Sequence, residues 1–177
     1  SADQLLDANR QAINVYSSSC NCNYYQLSVS PLVAFEIINQ QLLPPAEINR
    51  ATSRLRNTEI FVITHFLLRH LLGIALNSPQ GFYESNFDLT TAGKPNVHNI
   101  EFSISYRNKI GGIFISRNIC GIDVEEHRSV DYCGIARSFF STDEQSYLLH
   151  SQNLKLDFYK IWTQKESIVK ATGKGLA

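Results

Sequence analysis

The chain has 177 residues, with sixteen basic and sixteen acidic side chains that cancel to a formal net charge of zero. That length holds one domain or two small lobes with a true core, and 44% hydrophobic against 18% charged residues excludes a disordered tail. A balanced charge also excludes a dedicated nucleic-acid coat protein, so any anionic partner has to be met locally.

In chain order, a weakly helical start at Leu5 and Leu6 gives way to one or two expected strands between residues 13 and 29. Pro44-Pro45 precedes a basic helix over residues 46–55 that carries Arg50 and Arg54. Asn57 or Thr58 is placed to cap the next helix, residues 60–72, whose apolar residues nearly surround it. This is the expected core helix of a first lobe. His65, Arg69 and His70 interrupt its apolar run and argue against a membrane span. The two histidines are five apart, not the four that bring two imidazoles onto one metal, and are read as structural.

Residues 77–95 read as a loop ending in Ala92-Gly93-Lys94-Pro95, and three strands are expected after it. Ile100, Phe102, Ile104 and Tyr106 alternate with Glu101, Ser103 and Ser105, the period of a half-buried strand. Gly111-Gly112 is expected to turn the chain into a strand at 113–116, and Arg117-Asn118 to turn it again. The third expected strand, 119–125, puts Asp123 and Glu125 on one side, with Cα atoms about 7 Å apart. Two such carboxylates are either solvated at a strand end or held together by a hard cation such as magnesium.

A short helix is expected over residues 131–140, and another starting at Ser141 or Thr142 with Asp143 and Glu144 in its first turn. The last helix, 158–176, lines up Phe158, Ile161, Trp162, Ile168 and Val169, with Lys165 inside that face and Glu166 and Lys170 on its flank. Glu166 and Lys170 are either an ordinary i,i+4 surface pair or part of a site. Gly173 and Gly175 stop the helix. The cysteines at 20, 22, 120 and 133 lack zinc-site spacing and are expected as free thiols in a reducing cytoplasm. No leader is legible at the start, and the absence of any methionine leads us to expect a trimmed or altered chain.

Three stretches together resemble the Sfp-type 4′-phosphopantetheinyl transferase family. They are Gly121-Ile122-Asp123-Val124-Glu125; Arg137-Ser138-Phe139-Phe140-Ser141 with Glu144; and Trp162-Thr163-Gln164-Lys165-Glu166-Ser167-Ile168-Val169-Lys170 with Gly173-Lys174-Gly175-Leu176. The family pattern is a G-[IV]-D-x-E strand followed by W-x-x-K-E-[AS]-x-x-K on a helix, matched here with 43 positions between Asp123 and Glu166. Gly93-Lys94-Pro95, Ser103-Ile104-Ser105 and Leu67-Leu68-Arg69 add weaker support, and the likeness covers residues 42–177. The small trimeric holo-acyl-carrier-protein synthases keep their G-I-D strand near the amino terminus, whereas 120 residues precede it here.

The resemblance implies an α+β fold of two similar lobes, 1–120 and 121–177, forming an intramolecular pseudo-dimer. Each lobe would be a small, mostly antiparallel sheet packed on a long helix. It implies a cytoplasmic monomer that moves the phosphopantetheine arm of coenzyme A to a serine of an acyl or peptidyl carrier protein, releasing adenosine 3′,5′-bisphosphate. Secondary-metabolite or siderophore synthesis is the implied setting, with neither nucleic acid nor membrane as a partner. It implies magnesium held by Asp123, Glu125 and Glu166, with Lys170 neutralising the pyrophosphate and Glu144 as general base for the serine. Lys94, Ser105, Arg50 and Arg54 would meet the nucleotide, and Lys165 would be largely structural with its head reaching phosphate.

Two departures stand out. Ser105 matches the serine of the family's serine-histidine pair, but the histidine after it is Tyr106 here, and the family continues into further strands beyond the position of Ala177. They motivate a rival reading, a non-catalytic member that binds a carrier or a nucleotide. A third reading is another magnesium-dependent nucleotide transferase.

Overall fold

The computed structural model describes residues 13–18, 22–28, 31–53, 57–78, 88–89, 95–97 and 100–173. Strands β1 (Ile13–Ser18), β2 (Cys22–Ser28), β5 (Glu101–Arg107) and β6 (Ile110–Ser116) form an antiparallel sheet in the order β1-β2-β6-β5. Two strands are thus found where one or two are expected before residue 30. Among the described residues the short strands β3 (Asp88–Leu89) and β4 (Pro95–Asn96) pair with each other in a separate two-stranded sheet.

β5 and β6 form a two-residue hairpin with Arg107 opposite Ile110. Its turn is made by Asn108, at φ 52°, and Lys109, not by the expected Gly111-Gly112. Asparagine tolerates the left-handed region, and both glycines run on within the strand opposite Tyr106 and Ser105.

Helix α1 (Pro31–Asn39), to which the periodicity assigns no element, packs with α2 (Pro45–Thr52) against α3 (Thr58–Ala75). α3 is apolar all round because it has two partners. Leu67, Leu68 and Leu72 meet Phe102, Ile113 and Ile115 of the sheet, while Phe61, Val62 and Phe66 meet Ala34, Ile37, Leu43 and Ala51. Its length and composition alone would suit a membrane span, yet it carries Arg69 at 2% exposure. That guanidinium donates to both oxygens of Glu47 on α2, at 3.0 and 2.9 Å. Burial by itself would raise the Glu47 pKa, but His65 and Arg69 overcome it and hold it at about 2. His65 stacks on Phe61 at 4.0 Å, in keeping with a structural histidine.

Beyond the sheet lie α4 (Tyr132–Phe139), α5 (Thr142–Leu149) and α6 (Leu154–Thr172). Asp131 accepts the N–H of Gly134 to cap α4, and Ser141 with Glu144 forms a full capping box on α5. The C-terminus of α6 is Gly173, left-handed at φ 69°. The three helices share an aromatic core in which Phe158 stacks on Phe140 at 5.4 Å and on Trp162 at 6.0 Å. Ile168 does not join it and is 62% exposed, because the second half of α6 turns its buried side to the segment before α4.

The architecture is therefore α+β. Among the described residues, however, all strands precede residue 121 and only helices follow it, so a sheet-on-helix plan is visible in the first part alone. The expected strand at 119–125 is not one. Residues 119–131 have no regular secondary structure, and the reason lies in what satisfies their backbone.

Candidate functional site

Alternation on β5 puts Phe102, Ile104 and Tyr106 on the α3 side and Ser103, Ser105 and Arg107 on the other. The second row acts as a ladder of side chains. Ser103 Oγ accepts the N–H of Ile122, and Ser105 Oγ accepts the N–H of Val124, both at 3.1 Å. Hydroxyls thus take the place of the carbonyls a neighbouring strand would offer. On the same row Arg107 donates to Glu125, from Nε at 3.1 Å and from Nη2 at 2.9 Å.

The other side of this segment rests on α6 at Gly121. A Cβ there would fall on the Ser167 carbonyl oxygen and lie 2.7 Å from the Ala171 nitrogen. Only a glycine lets the two backbones come this close. One turn of α6 then presents Glu166 and Lys170 on either side of the contact. Lys170 Nζ stands 2.6 Å from Asp123 Oδ1 and 2.9 Å from Ser105 Oγ, and the Ser105 hydroxyl donates to the same Oδ1 at 3.1 Å.

Asp123 has a side chain only 5% exposed. Its second oxygen, Oδ2, is buried with no hydrogen-bond partner, a costly state for a carboxylate. Glu166 carries the complementary sign of stress. Burial and then the negative charge of Asp123 push its pKa up; Lys170 opposes them, and Glu125 adds to the rise. Three hard-oxygen donors, two of which raise the pKa of the third, Glu166, with the Asp123 Oδ2 buried and unused, fit a hard divalent cation. Among the described residues no three histidine, cysteine, aspartate or glutamate side chains are gathered tightly enough to ligate one ion. Asp123 and Glu125 are instead closed on Lys170 and Arg107.

Glu144 and Lys165 form a second pair. Glu144 Oε2 accepts the Ser141 N–H at 2.7 Å, and Lys165 Nζ donates to both Glu144 oxygens at 2.9 and 3.2 Å. Burial favours the protonated acid, yet the Lys165 and Ser141 bonds hold Glu144 below the usual carboxylate range. The Lys165 ammonium also lies 5.7 Å over the Phe140 ring. Among the described residues no hydrogen bond or ion pair joins this pair to Asp123, Glu125 or Glu166.

Arg50 stands apart from this group. It is exposed, with its guanidinium 5.6 Å over the ring of Phe61 in the α2–α3 layer. Arg54 and Lys94 lie outside the described residues. Tyr106 packs edge-on to Phe61 at 6.2 Å, on the face of β5 opposite Ser105. Its ring fills space between sheet and helix.

Sequence reasoning gave no part to Ser103 and did not pair Arg107 with Glu125. The signal was available in the matched spacing of two, 103 and 105 on one strand against 122 and 124 on the segment, with Arg107 and Glu125 one position out of step beside it. Beside this ladder opens a cleft of about 700 Å³, lined by Asn57, Glu59, Arg107, Lys109, Val124, Glu125 and His127 among others. The loop at its rim is pinned by Tyr159, whose hydroxyl accepts the Arg128 N–H at 2.9 Å and whose ring stacks on His127 at 4.6 Å.

Residues 119–177 match the family model described as the 4′-phosphopantetheinyl transferase superfamily. The chain is 40% identical over 86 residues to the 4′-phosphopantetheinyl transferase ffp of Bacillus subtilis, covering 47% of this chain and 38% of that protein. It is 35% identical over 118 residues to the 4′-phosphopantetheinyl transferase gsp of Aneurinibacillus migulanus, covering 65% and 48%. To the 4′-phosphopantetheinyl transferase Sfp of Bacillus subtilis strain 168 it is 34% identical over 85 residues, covering 47% and 38%. The matched regions thus span less than half the length of these curated relatives. The matched segment holds Gly121, Asp123, Glu125, Glu144, Lys165, Glu166 and Lys170, and it is over this segment that the chain is similar to the 4′-phosphopantetheinyl transferase superfamily.

Proposed function

We propose that the protein transfers the 4′-phosphopantetheine arm of coenzyme A to a serine of an acyl or peptidyl carrier protein, with magnesium, releasing adenosine 3′,5′-bisphosphate. The observation that carries this reading is Asp123. Its Oδ2 is buried without a donor, in a group where Asp123 and Glu125 raise the pKa of Glu166. Asp123, Glu125 and Glu166 would hold the magnesium. When bound, it withdraws charge from the pyrophosphate and makes the phosphorus easier to attack.

The chain's own residues supply the rest. The Ser103 and Ser105 hydroxyls fix the Asp123 backbone, and Gly121 fixes its distance from α6. Lys170, beside Asp123, would neutralise the charge of the pyrophosphate. The serine oxygen forms its bond to the phosphorus that carries pantetheine, the bridge to the adenosine-side phosphate breaks, and that phosphate leaves with the electron pair. The serine proton goes to Glu144. A carboxylate held below its usual range is a weak base, so Glu144 orients the hydroxyl and accepts its proton as the new bond forms. Lys165 keeps Glu144 ionised and in place.

Ser105, Arg50, Arg54 and Lys94 are assigned to the nucleotide end, with Ser105 also holding Asp123. The cleft beside Glu125 has the volume of a small-molecule site and is assigned to part of coenzyme A. We retain the two-lobed, monomeric plan divided at 120/121, in the cytoplasm and in siderophore or related secondary metabolism. The start of the family match at residue 119 supports that division.

The test is mass spectrometry of a purified apo-carrier incubated with the protein, coenzyme A and magnesium. One phosphopantetheine should be gained on serine, and both Asp123→Ala and a chelator should abolish the gain. Full activity in both cases sinks the metal assignment, and an unmodified carrier with the wild-type protein sinks the transfer reading.

A further inference from the structure

Two cations sit on the carboxylate segment. Lys170 bonds Asp123 at 2.6 Å, and Arg107 grips Glu125 with two nitrogens. Glu166 has no bonded cation among the described residues. With all three acids ionised, three negative charges against two positive ones leave a balance of minus one.

The two kinds of partner differ in freedom. The carboxylates are the fixed members, 5% exposed at Asp123 and 20% at Glu125, whereas the cations are 33% exposed at Lys170 and 39% at Arg107. Asp123 is tied further by Ser105, which the Val124 N–H itself holds. Arg107 also lines the cleft of about 700 Å³, so its guanidinium has room to turn outward.

We propose that Arg107 and Lys170 are exchangeable counter-ions. Each is held on a carboxylate by an ion pair, and a divalent cation taking the carboxylates releases both to bind the phosphates of the anionic substrate. The proposal rests on the assignment of Asp123 and Glu125 as metal ligands made above. A divalent ion changes the local balance from minus one to plus one, and it cannot share Asp123 Oδ1 with an ammonium at bonding distance. Cation and anion binding then become reciprocally coupled, each strengthening the other by the same factor. Arg107 thereby gains a role as a phosphate-binding residue.

The experiment measures Mn²⁺ binding alone, by paramagnetic resonance of the free ion, on the full chain without coenzyme A. Lys170→Met and Arg107→Met should each bind Mn²⁺ about three- to tenfold tighter than wild type, the worth of one partly buried ion pair. Lys165→Met removes a lysine of the same helix that is held by Glu144 instead, and it should shift the affinity by less than about twofold. Unchanged or weaker binding in the first two variants overturns the proposal and leaves the metal assignment standing. A gain in Lys165→Met as large as theirs also overturns it, since any lost positive charge would then suffice. No Mn²⁺ binding by wild type or any variant overturns the metal assignment and the proposal together.

Discussion

Replacing Gly121 by alanine isolates one contact on which the whole carboxylate group depends. Gly121 is not in the left-handed region, which among the described glycines only Gly173 adopts, so the backbone conformation does not oppose alanine. Space does. The new methyl would fall on the Ser167 carbonyl oxygen and lie 2.7 Å from the Ala171 nitrogen. Both atoms belong to the backbone of α6 and cannot rotate away. Restoring ordinary contact moves the segment from the helix by roughly 1 Å or more, an overpacking cost of about 1–3 kcal/mol. The same shift stretches the 2.6 Å Lys170–Asp123 bond beyond hydrogen-bond range. A displacement of this size at a reacting group costs on the order of a hundredfold in rate. Carrier modification followed by mass spectrometry, with thermal unfolding in parallel, measures both effects. The midpoint should fall by about 2–4 °C for each kcal/mol lost. Transfer within threefold of wild type and an unchanged midpoint would refute the close-approach account of Gly121.

The hydroxyl ladder makes a second prediction. Ser103→Ala and Ser105→Ala each leave one backbone N–H without its acceptor, at a cost of about 1–2 kcal/mol. Amide exchange should therefore accelerate at Ile122 in the first variant and at Val124 in the second, and identical exchange in both would contradict the pairing. Glu47 predicts the pH response of the first core. Its folded pKa of about 2 lies below the ordinary glutamate value of 4.5, so the stability it contributes is present above about pH 4.5 and is lost as pH falls towards 2. The full contribution is roughly 3 kcal/mol, and Glu47→Gln should flatten the dependence of the unfolding midpoint on pH in that window.

Local rules carried much of the fold. The Ser141–Glu144 capping box, the Gly173 stop and the alternation of β5 follow from spacings of three, one and two residues, and each is found in place. The error at 119–125 has a physical cause. A strand pairing through carbonyls and a segment held by hydroxyls two residues apart leave the same alternating pattern in the sequence. The hairpin turn was misplaced for a related reason: glycines were read as turn-makers when the asparagine three residues earlier held the positive φ. In the candidate site, Asp123 and Lys170 were singled out from the sequence, and the structure brings them into contact. The pairing of Arg107 with Glu125 and of Ser103 with Ile122 was not legible there, because these partners lie 18 and 19 residues away and only the facing of two elements joins them.

The ladder that holds 122–125 also bears on how this site can change over generations. A true strand shares one register with its neighbour, and a slip of one residue reverses every side chain. Here each attachment is a separate side chain on β5, so a serine can become threonine, cysteine or asparagine and move one carboxylate without disturbing the others. The backbone of the sheet stays as it is while the position of Asp123 or Glu125 is retuned a rung at a time. Gly121 offers no such latitude, since its neighbour is the helix backbone itself. The site therefore combines one immovable pivot with several independently adjustable struts, and variation between relatives should collect at 103, 105 and 107 and spare 121.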